Sequence, residues 1–310
     1  MKFKATMRES GMSLLEKRLL PAMEKMGKIC YLYLTRDHTF FLHNLISCNN
    51  GIQCIGQIRN EALFSDHRIS SQLDDRIAFS LDLSLLLRAL RSSAATISSS
   101  SASSSSCCLL IKLVKKLPPN STQPAPFLTF ETKGHTSAVL HDVPISKPLS
   151  RAQMTELQNS LDDAQVLPLT LVGVDDLARL QNFIDRMKQL GDFIEVTVSK
   201  LGQLHLKVST SLLTLGAEFK HLMVVGERGT ERDGNGDRYN VNNSVVQVSM
   251  KHFAKCLQFH LAKPDSAYYG VGSHGGSFTV VFQFFLSGTR QTDKSISLHC
   301  RLPVLDPGTS

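Results

Sequence analysis

A strand that runs straight into a helix occurs twice in this chain, and the repetition constrains the fold more than any other feature. The first copy is Ile77-Ala-Phe-Ser-Leu-Asp-Leu-Ser-Leu-Leu-Leu-Arg-Ala-Leu-Arg91. Ile77, Phe79 and Leu81 alternate with small or polar residues, the period of a half-buried strand. Asp82 is a good N-cap. Leu83, Leu86, Leu87 and Leu90 then fall on one helical face, with Ser84, Arg88 and Arg91 on the other. The second copy is Asn243-Ser-Val-Val-Gln-Val-Ser-Met-Lys-His-Phe-Ala-Lys-Cys-Leu-Gln258. A shift of 167 carries Phe79 onto Val246, Leu81 onto Val248, the cap Asp82 onto Ser249, Leu86 onto Phe253 and Arg88 onto Lys255.

A second pair of segments repeats at nearly the same distance. Ser13 to Gly27 reads as a helix with the apolar stripe Leu15, Leu19, Leu20, Met23 and Met26. Asp175 to Gly191 reads as another, with Leu180, Phe183, Ile184, Met187 and Leu190. A shift of 164 superposes them and sets Gly27 on Gly191, so each helix is expected to end at its glycine as a C′ residue. Pro21 falls inside the first helix and predicts a kink or a restart there. Each helix is followed by two strands about a charged turn: Ile29 to Leu34 and Thr39 to His43, then Phe193 to Ser199 and Gln203 to Val208.

The chain therefore reads as a duplicated α+β protein. Residues 1–145 form a first domain, 146–164 a polar connector and 165–310 a second domain; at 310 residues each is large enough to bury its own core. Glu61 to Asp75 reads as a polar loop or turn. The serine- and alanine-rich run Ser92 to Ser106 has too little apolar surface to pack and reads as a disordered spacer. Strands are expected at Cys107 to Leu117, Phe127 to Thr132, Ala138 to Val143, Ser277 to Phe285 and Ser295 to Leu302, with a hydrophilic loop from Gly226 to Asn240.

Motifs of chemistry give little. Gly270-Val-Gly-Ser-His-Gly275 matches a dinucleotide fingerprint in letters, but strand-like residues follow where a helix is needed, so it reads as a turn. Leu83-Ser-Leu-Leu-Leu87 is more economically core than a docking motif, and the Asn120 sequon sits in a chain without a signal-peptide pattern. The seven cysteines show no paired CxxC spacing and the eleven histidines no ligand spacing, so no metal, cofactor or catalytic site is expected. No apolar run is long enough to span a membrane.

The basic residues say more. At about 100° per residue, Lys17, Arg18, Lys25 and Lys28 oppose the apolar stripe of the first helix, and Arg88 and Arg91 that of the second. Arg179, Arg186 and Lys188 edge the polar face of the third, and Lys251 and Lys255 share the outer face of the fourth. With a net charge of +7, these faces suit a phosphate backbone read without base contacts. Ordinary solvated faces diluted by Glu16, Glu24 and Asp185 are the competing reading.

Tandem α+β domains with four basic helices resemble the DNA sliding clamps. Met1-Lys-Phe-Lys-Ala, Leu45 to Ile58, Arg59 to Ser65, the Leu-Leu-Arg-Ala-Leu within Leu81 to Leu90, and His141-Asp-Val-Pro-Ile145 together resemble the Hus subunit of the checkpoint clamp, the nine-one-one complex. The resemblance covers nearly the whole chain. It implies a non-catalytic nuclear subunit, with a cytoplasmic pool allowed, that joins two Rad-type subunits in a heterotrimer. A clamp loader would place that ring on double-stranded DNA at damaged or stalled sites, in mitotic or meiotic cells, to recruit checkpoint and repair factors. It also implies that the basic residues above face DNA, and that subunits join by strand pairing at Leu109 to Lys116, through Leu109, Ile111 and Leu113, and at Leu212 to Lys220, through Leu213, Leu215 and Ala217. A self-trimerising replication clamp and an enzyme acting on a small anionic substrate are the alternatives.

Overall fold

The computed structural model describes residues 1–46, 51–99, 108–118, 122–133, 138–227, 243–272 and 275–305. The chain divides into two compact units, Met1–Ile46 with Ile55–Asn159 and Lys294–Ser297, and Ser47–Cys54 with Ser160–Asp293 and Leu298–Ser310.

The first unit opens with β1 (Lys2–Met7) and α1 (Glu9–Leu14). A π-helical turn, Leu15–Leu19, leads into α2 (Leu20–Met26), so the helix restarts at Pro21, where a missing N–H costs least. Then come β2 (Ile29–Leu34), β3 (His38–His43), β4 (Gln53–Arg59, its first residues counted with the other unit), α3 (Asn60–Leu63), β5 (Phe64–Ser70), β6 (Ile77–Asp82) and α4 (Leu83–Ser99). β7 (Cys108–Lys116), β8 (Ala125–Lys133), β9 (Ala138–Pro144) and the start of α5 (Arg151–Ala164) complete it. One sheet runs β5-β1-β7-β8-β9, and the other runs β4-β3-β2-β6 within this unit. The expected stripe Leu15, Leu19, Leu20, Met23 and Met26 is buried, as are Leu83, Leu86, Leu87 and Leu90, and α2 packs beside α4.

The second unit carries β10 (Thr170–Val174), α6 (Leu177–Met187), β11 (Phe193–Ser199), β12 (Gln203–Ser209), β13 (Thr214–Phe219), β14 (Met223–Gly226) and β15 (Ser244–Ser249). α7 (Met250–Cys256), a 3-10 turn Leu257–Ala262, β16 (Ser266–Val271), β17 (Ser277–Gln283) and β18 (Ile296–Pro303) follow. Its sheets run β14-β10-β16-β17-β18 and β13-β12-β11-β15. α6 packs beside α7, burying Leu180, Ile184 and Met187 against Met250, Phe253 and Cys256. Phe253 meets Tyr269 and Phe278 edge-on, with centroids 6.2 and 5.6 Å away.

Several expectations are corrected. Glu61 to Asp75 is a turn only at 72–75: its first part holds the end of a short helix and β5, whose outward residues are polar because β5 borders its sheet and only Phe64 of that strand plugs the core. The serine-rich run does not begin as a spacer. α4 continues through it to Ser99, burying Ser93 completely, because alanine and serine are small enough to follow the leucine face inward. Residues 100–107 lie outside the described residues, as do Asn120 and 228–242 of the hydrophilic loop. The polar connector contains α5, opened by a capping box in which Ser150 N and Oγ both donate to Gln153 Oε1 at 3.0 Å.

Of the two glycines, Gly27 ends its helix as expected, as the C-cap of α2, whereas Gly191 does not, and neither uses a left-handed turn. Gly27 has φ 177, extended backbone open to any residue, and α6 already ends at Met187. Instead both sit under a side chain: a Cβ on Gly27 would lie 3.2 Å from His43 Cε1, and one on Gly191 3.0 Å from Val208 Cγ1. Close approach, not a left-handed turn, is their shared reason. The Gly270 motif lies at a hairpin, with Val271 opposite Phe278 across antiparallel β16 and β17; residues 273–274 of it lie outside the described residues.

Candidate nucleic-acid interface

In the first unit the basic residues sit on the outer sides of two neighbouring helices. α4 enters directly from β6 because Asp82 caps it, accepting from the N–H of Ser84 at 2.8 Å and of Leu85 at 3.3 Å. With Leu86, Leu87 and Leu90 fixed inward, Arg88 and Arg91 are forced into solvent. Lys17, Lys25 and Lys28 are also exposed, and Arg18 is half-buried. Lys28 Nζ stands 3.4 Å from Asp82 Oδ2. Burial pushes the Asp82 carboxyl up, but its backbone donors and Lys28 outweigh that and hold it below the usual range. Lys28 thus offers less free charge than its neighbours.

In the second unit Asp176 caps α6, accepting from Arg179 N at 2.9 Å. Arg179, Arg186 and Lys188 are exposed. The Arg179 guanidinium lies 5.8 Å from the centre of the Phe219 ring of β13, within cation–π range. Lys188 Nζ reaches Asp185 Oδ1 at 2.8 Å; this bond and one from Gln181 hold the Asp185 carboxyl below its usual range. Ser249 caps α7 weakly, with His252 N at 3.5 Å. Lys251 is exposed and Lys255 half-buried, with His252 between them. Burial first, then the charges of Lys255 and Lys251, pushes the His252 pKa down, so it is neutral near pH 7.

Among the described residues no carboxylate pairs with Lys17, Lys25, Arg88, Arg91, Arg186, Lys251 or Lys255. Each unit thus presents a pair of packed helices with cations outward and apolar faces inward. Such a surface contacts phosphates by charge, without a geometry that reads bases. The pairing of Lys28 with Asp82, and of Lys188 with Asp185, was missed in the sequence. Only the second had a local signal, its i, i+3 spacing.

The strand edges require a correction. Leu109 to Lys116 is not an edge: β7 is paired by β1 on one side and β8 on the other. Leu109 and Ile111 are buried and Leu113 half-buried. The edges of that sheet, among the described residues, are β5 and β9, and on β9 Leu140 is 55% exposed. The sequence order hides this because the first strand of the chain inserts beside β7. β13 does border its sheet, with Leu213 and Leu215 exposed and Ala217 half-buried.

No group of three or more His, Cys, Asp or Glu among the described residues is placed to hold a metal ion. No described helix is long and apolar enough to cross a membrane. A cavity of ≈ 30 Å³ in the first unit is lined by Phe3, Leu34, Phe41, Leu86, Ile111 and Phe130 among others, apolar side chains but for Thr39, so it is a packing void and not a substrate site.

A family model described as Hus1-like protein matches residues 1–297. The checkpoint protein hus1 homolog of Dictyostelium discoideum is 28% identical over 275 residues, covering 86% of this chain and 88% of the relative. Checkpoint protein HUS1 of Homo sapiens is 24% identical over 228 residues, covering 72% and 74%. Checkpoint protein hus1 of Schizosaccharomyces pombe is 25% identical over 208 residues, 66% of each. Among solved structures, the proliferating cellular nuclear antigen of Entamoeba histolytica aligns with a TM-score of 0.60 at 10% identity over 98% of this chain and 99% of that one. That likeness shows the fold: this is the sliding-clamp fold of strand-rich sheets flanked by paired helices.

Proposed function

Because the chain belongs to the Hus1-like protein family, a family of checkpoint clamps without catalytic chemistry, we propose that it is one subunit of a heterotrimeric ring around double-stranded DNA. Two Rad-type subunits complete that ring, a clamp loader closes it at damaged or stalled sites in the nucleus, and it recruits checkpoint and repair factors. Residues 1–145 and 165–310 act as the two clamp domains, joined by 146–164. The observation that carries this reading is the pair of packed basic helices found in each unit of a clamp-fold chain. Lys17, Arg18, Lys25, Arg88, Arg91, Arg179, Arg186, Lys251 and Lys255 take the DNA phosphates, with Lys28 and Lys188 contributing less because each already has a carboxylate.

The subunits join by strand addition. Among the described residues β9 and β13 border their sheets with unpaired backbone groups and exposed Leu140, Leu213 and Leu215. Open apolar edges invite aggregation unless another chain covers them. One chain bearing both edges also supports a self-trimerising clamp, the second reading.

Light-scattering mass decides between them. A chain that is single alone and enters a one-to-one-to-one complex with two Rad-type subunits supports the checkpoint ring; a trimer of this chain alone moves the reading to a self-assembling clamp. In the assembled ring, changing Arg88, Arg91, Lys251 and Lys255 to Glu is expected to cut retention on closed circular DNA at least tenfold. Unchanged retention would remove those residues from the DNA path.

A further inference from the structure

The sheet β5-β1-β7-β8-β9 has two faces, and the one turned away from the helices carries charge that the fold does not require. Phe3, Ala5, Leu109, Ile111, Leu128 and Phe130 point inward, where α4 packs across β8 and β9. The alternate residues of the same strands point the other way. Lys4 of β1 is directly opposite Arg68 of β5 on one side and Lys112 of β7 on the other. Three cations therefore stand in one cross-strand row, with strands about 4.8 Å apart. Lys2 adds a fourth, two residues along β1 and about 7 Å away. Lys2, Lys4 and Arg68 are exposed.

Like charges placed directly opposite each other weaken a strand pair, so this row opposes folding instead of assisting it. Among the described residues only one member is neutralised: Lys112 Nζ meets Glu131 Oε2 at 2.7 Å. Lys116 Nζ binds Asp142 Oδ1 at 2.7 Å, and Asp66 lies opposite Thr6. Among the described residues Lys2, Lys4 and Arg68 have no carboxylate partner.

We propose that this row, Lys2, Lys4 and Arg68 with Lys112 at its margin, is a docking surface for an acidic, extended segment of a partner protein. Charge complementarity names the occupant's sign, and spacing names its form. Alternate side chains of an extended peptide lie about 7 Å apart, the separation of Lys2 and Lys4. A nucleic-acid strand fits less well. The row spans only about 10 Å across β5, β1 and β7, with Lys112 already paired, and Asp66, Glu131 and Asp142 flank it, so a phosphate chain leaving the row on either side meets carboxylates. The surface is separate from the helix faces assigned to DNA and does not depend on that assignment.

The test uses the full chain, a fluorescent peptide of alternating Glu and Ser, and a duplex oligonucleotide, all at low salt. Lys4→Glu with Arg68→Glu is expected to weaken peptide binding at least tenfold, whereas Lys251→Glu with Lys255→Glu changes it less than twofold. No peptide binding by the unaltered chain, equal loss in both variants, or loss of duplex binding alone in the Lys4/Arg68 variant would each overturn the proposal. The milder Lys4→Thr keeps the test independent of folding defects: it relieves the like-charge row and is expected to raise the Tm by about 1–2 °C while weakening the peptide. A lowered Tm would show that Lys4 serves the fold and would remove the premise.

Discussion

The two units build the same joint from different chemistry. In each, a strand passes straight into a helix, and the first helical N–H bonds the carbonyl of the residue that precedes the neighbouring strand: Leu83 N to Lys28 O at 2.9 Å, Met250 N to Asp192 O at 2.8 Å. Backbone geometry fixes the joint, so its side chains are free to differ. The first unit sets a carboxylate cap, Asp82, against Lys28; the second sets a neutral cap, Ser249, beside Asp192. α4 runs 17 residues, whereas α7 runs 7 and tightens into a 3-10 turn. The helix pair of the first unit is packed with leucine, that of the second with the Phe253, Tyr269 and Phe278 cluster. Topology here constrains the backbone; charge and packing vary upon it.

The largest effect should come from that packing. Phe253 is fully buried between Tyr269 and Phe278, and Phe253→Ala is expected to cost about 3–5 kcal/mol, a transfer loss plus a cavity its rigid ring neighbours cannot close. The matching Leu86→Ala should cost about 2–5 kcal/mol and fall below it, because the surrounding leucines change rotamer more easily than rings do. Urea denaturation of both variants measures the order. A larger loss at Leu86 would make the aliphatic unit the more tightly packed one.

Next comes a pH effect in the second unit. His299 is buried, its Nε2 has no hydrogen-bond partner among the described residues, and its pKa is about 4. Burial drives it down and a backbone bond at Ala164 only partly opposes this. With an unfolded value near 6.5, the unfolded chain binds more protons than the folded one between those pH values. Stability is therefore full above about 6.5 and falls by about 3 kcal/mol as pH drops toward 4. His299→Leu should flatten that part of the stability profile. An unchanged acid limb would assign it elsewhere.

The sequence displayed what periodicity can carry and hid what pairing decides. The stripes of both first helices, the caps Asp82 and Ser249 and the duplication were all readable, because each depends on neighbours a few residues apart or on one constant shift. β5 was lost because its outward residues are polar on a sheet border, and α4 was cut short because Ser92 to Ser106 looks uniform although Ser93 is core. The border at β9 was unreadable for a different reason: β1 inserts between β5 and β7, a contact between chain segments about a hundred residues apart that no local pattern announces. The Lys4 row exists only through that same insertion.

The caps give a smaller contrast. Asp82 accepts two backbone bonds and Ser249 a single long one, so Asp82→Ala is expected to cost about 1–2 kcal/mol and Ser249→Ala about 0.5–1 kcal/mol. The Asp82 contribution is fully present above the ordinary carboxylate range and is lost as pH falls through its depressed pKa, because the folded state then binds fewer protons than the unfolded one. Thermal melts at pH 7 and pH 3 should therefore show Asp82→Ala and the unaltered chain converging in acid, while Ser249→Ala stays offset at both.

The smallest effect tests whether the charge difference between the joints matters for DNA. Each phosphate contact adds about 0.9 to the slope of log affinity against log salt. Lys251→Ala with Lys255→Ala in the assembled ring should lower that slope by about 1.8, since among the described residues neither has a carboxylate partner. Lys28→Ala should lower it by clearly less than 0.9, because Asp82, 3.4 Å away, already claims part of its charge. Affinity measured across a salt series separates the cases. A full unit-contact loss at Lys28 would mean the pair opens on DNA, releasing Asp82 to its backbone donors alone, so that the carboxylate cap would no longer cost the first joint a phosphate contact.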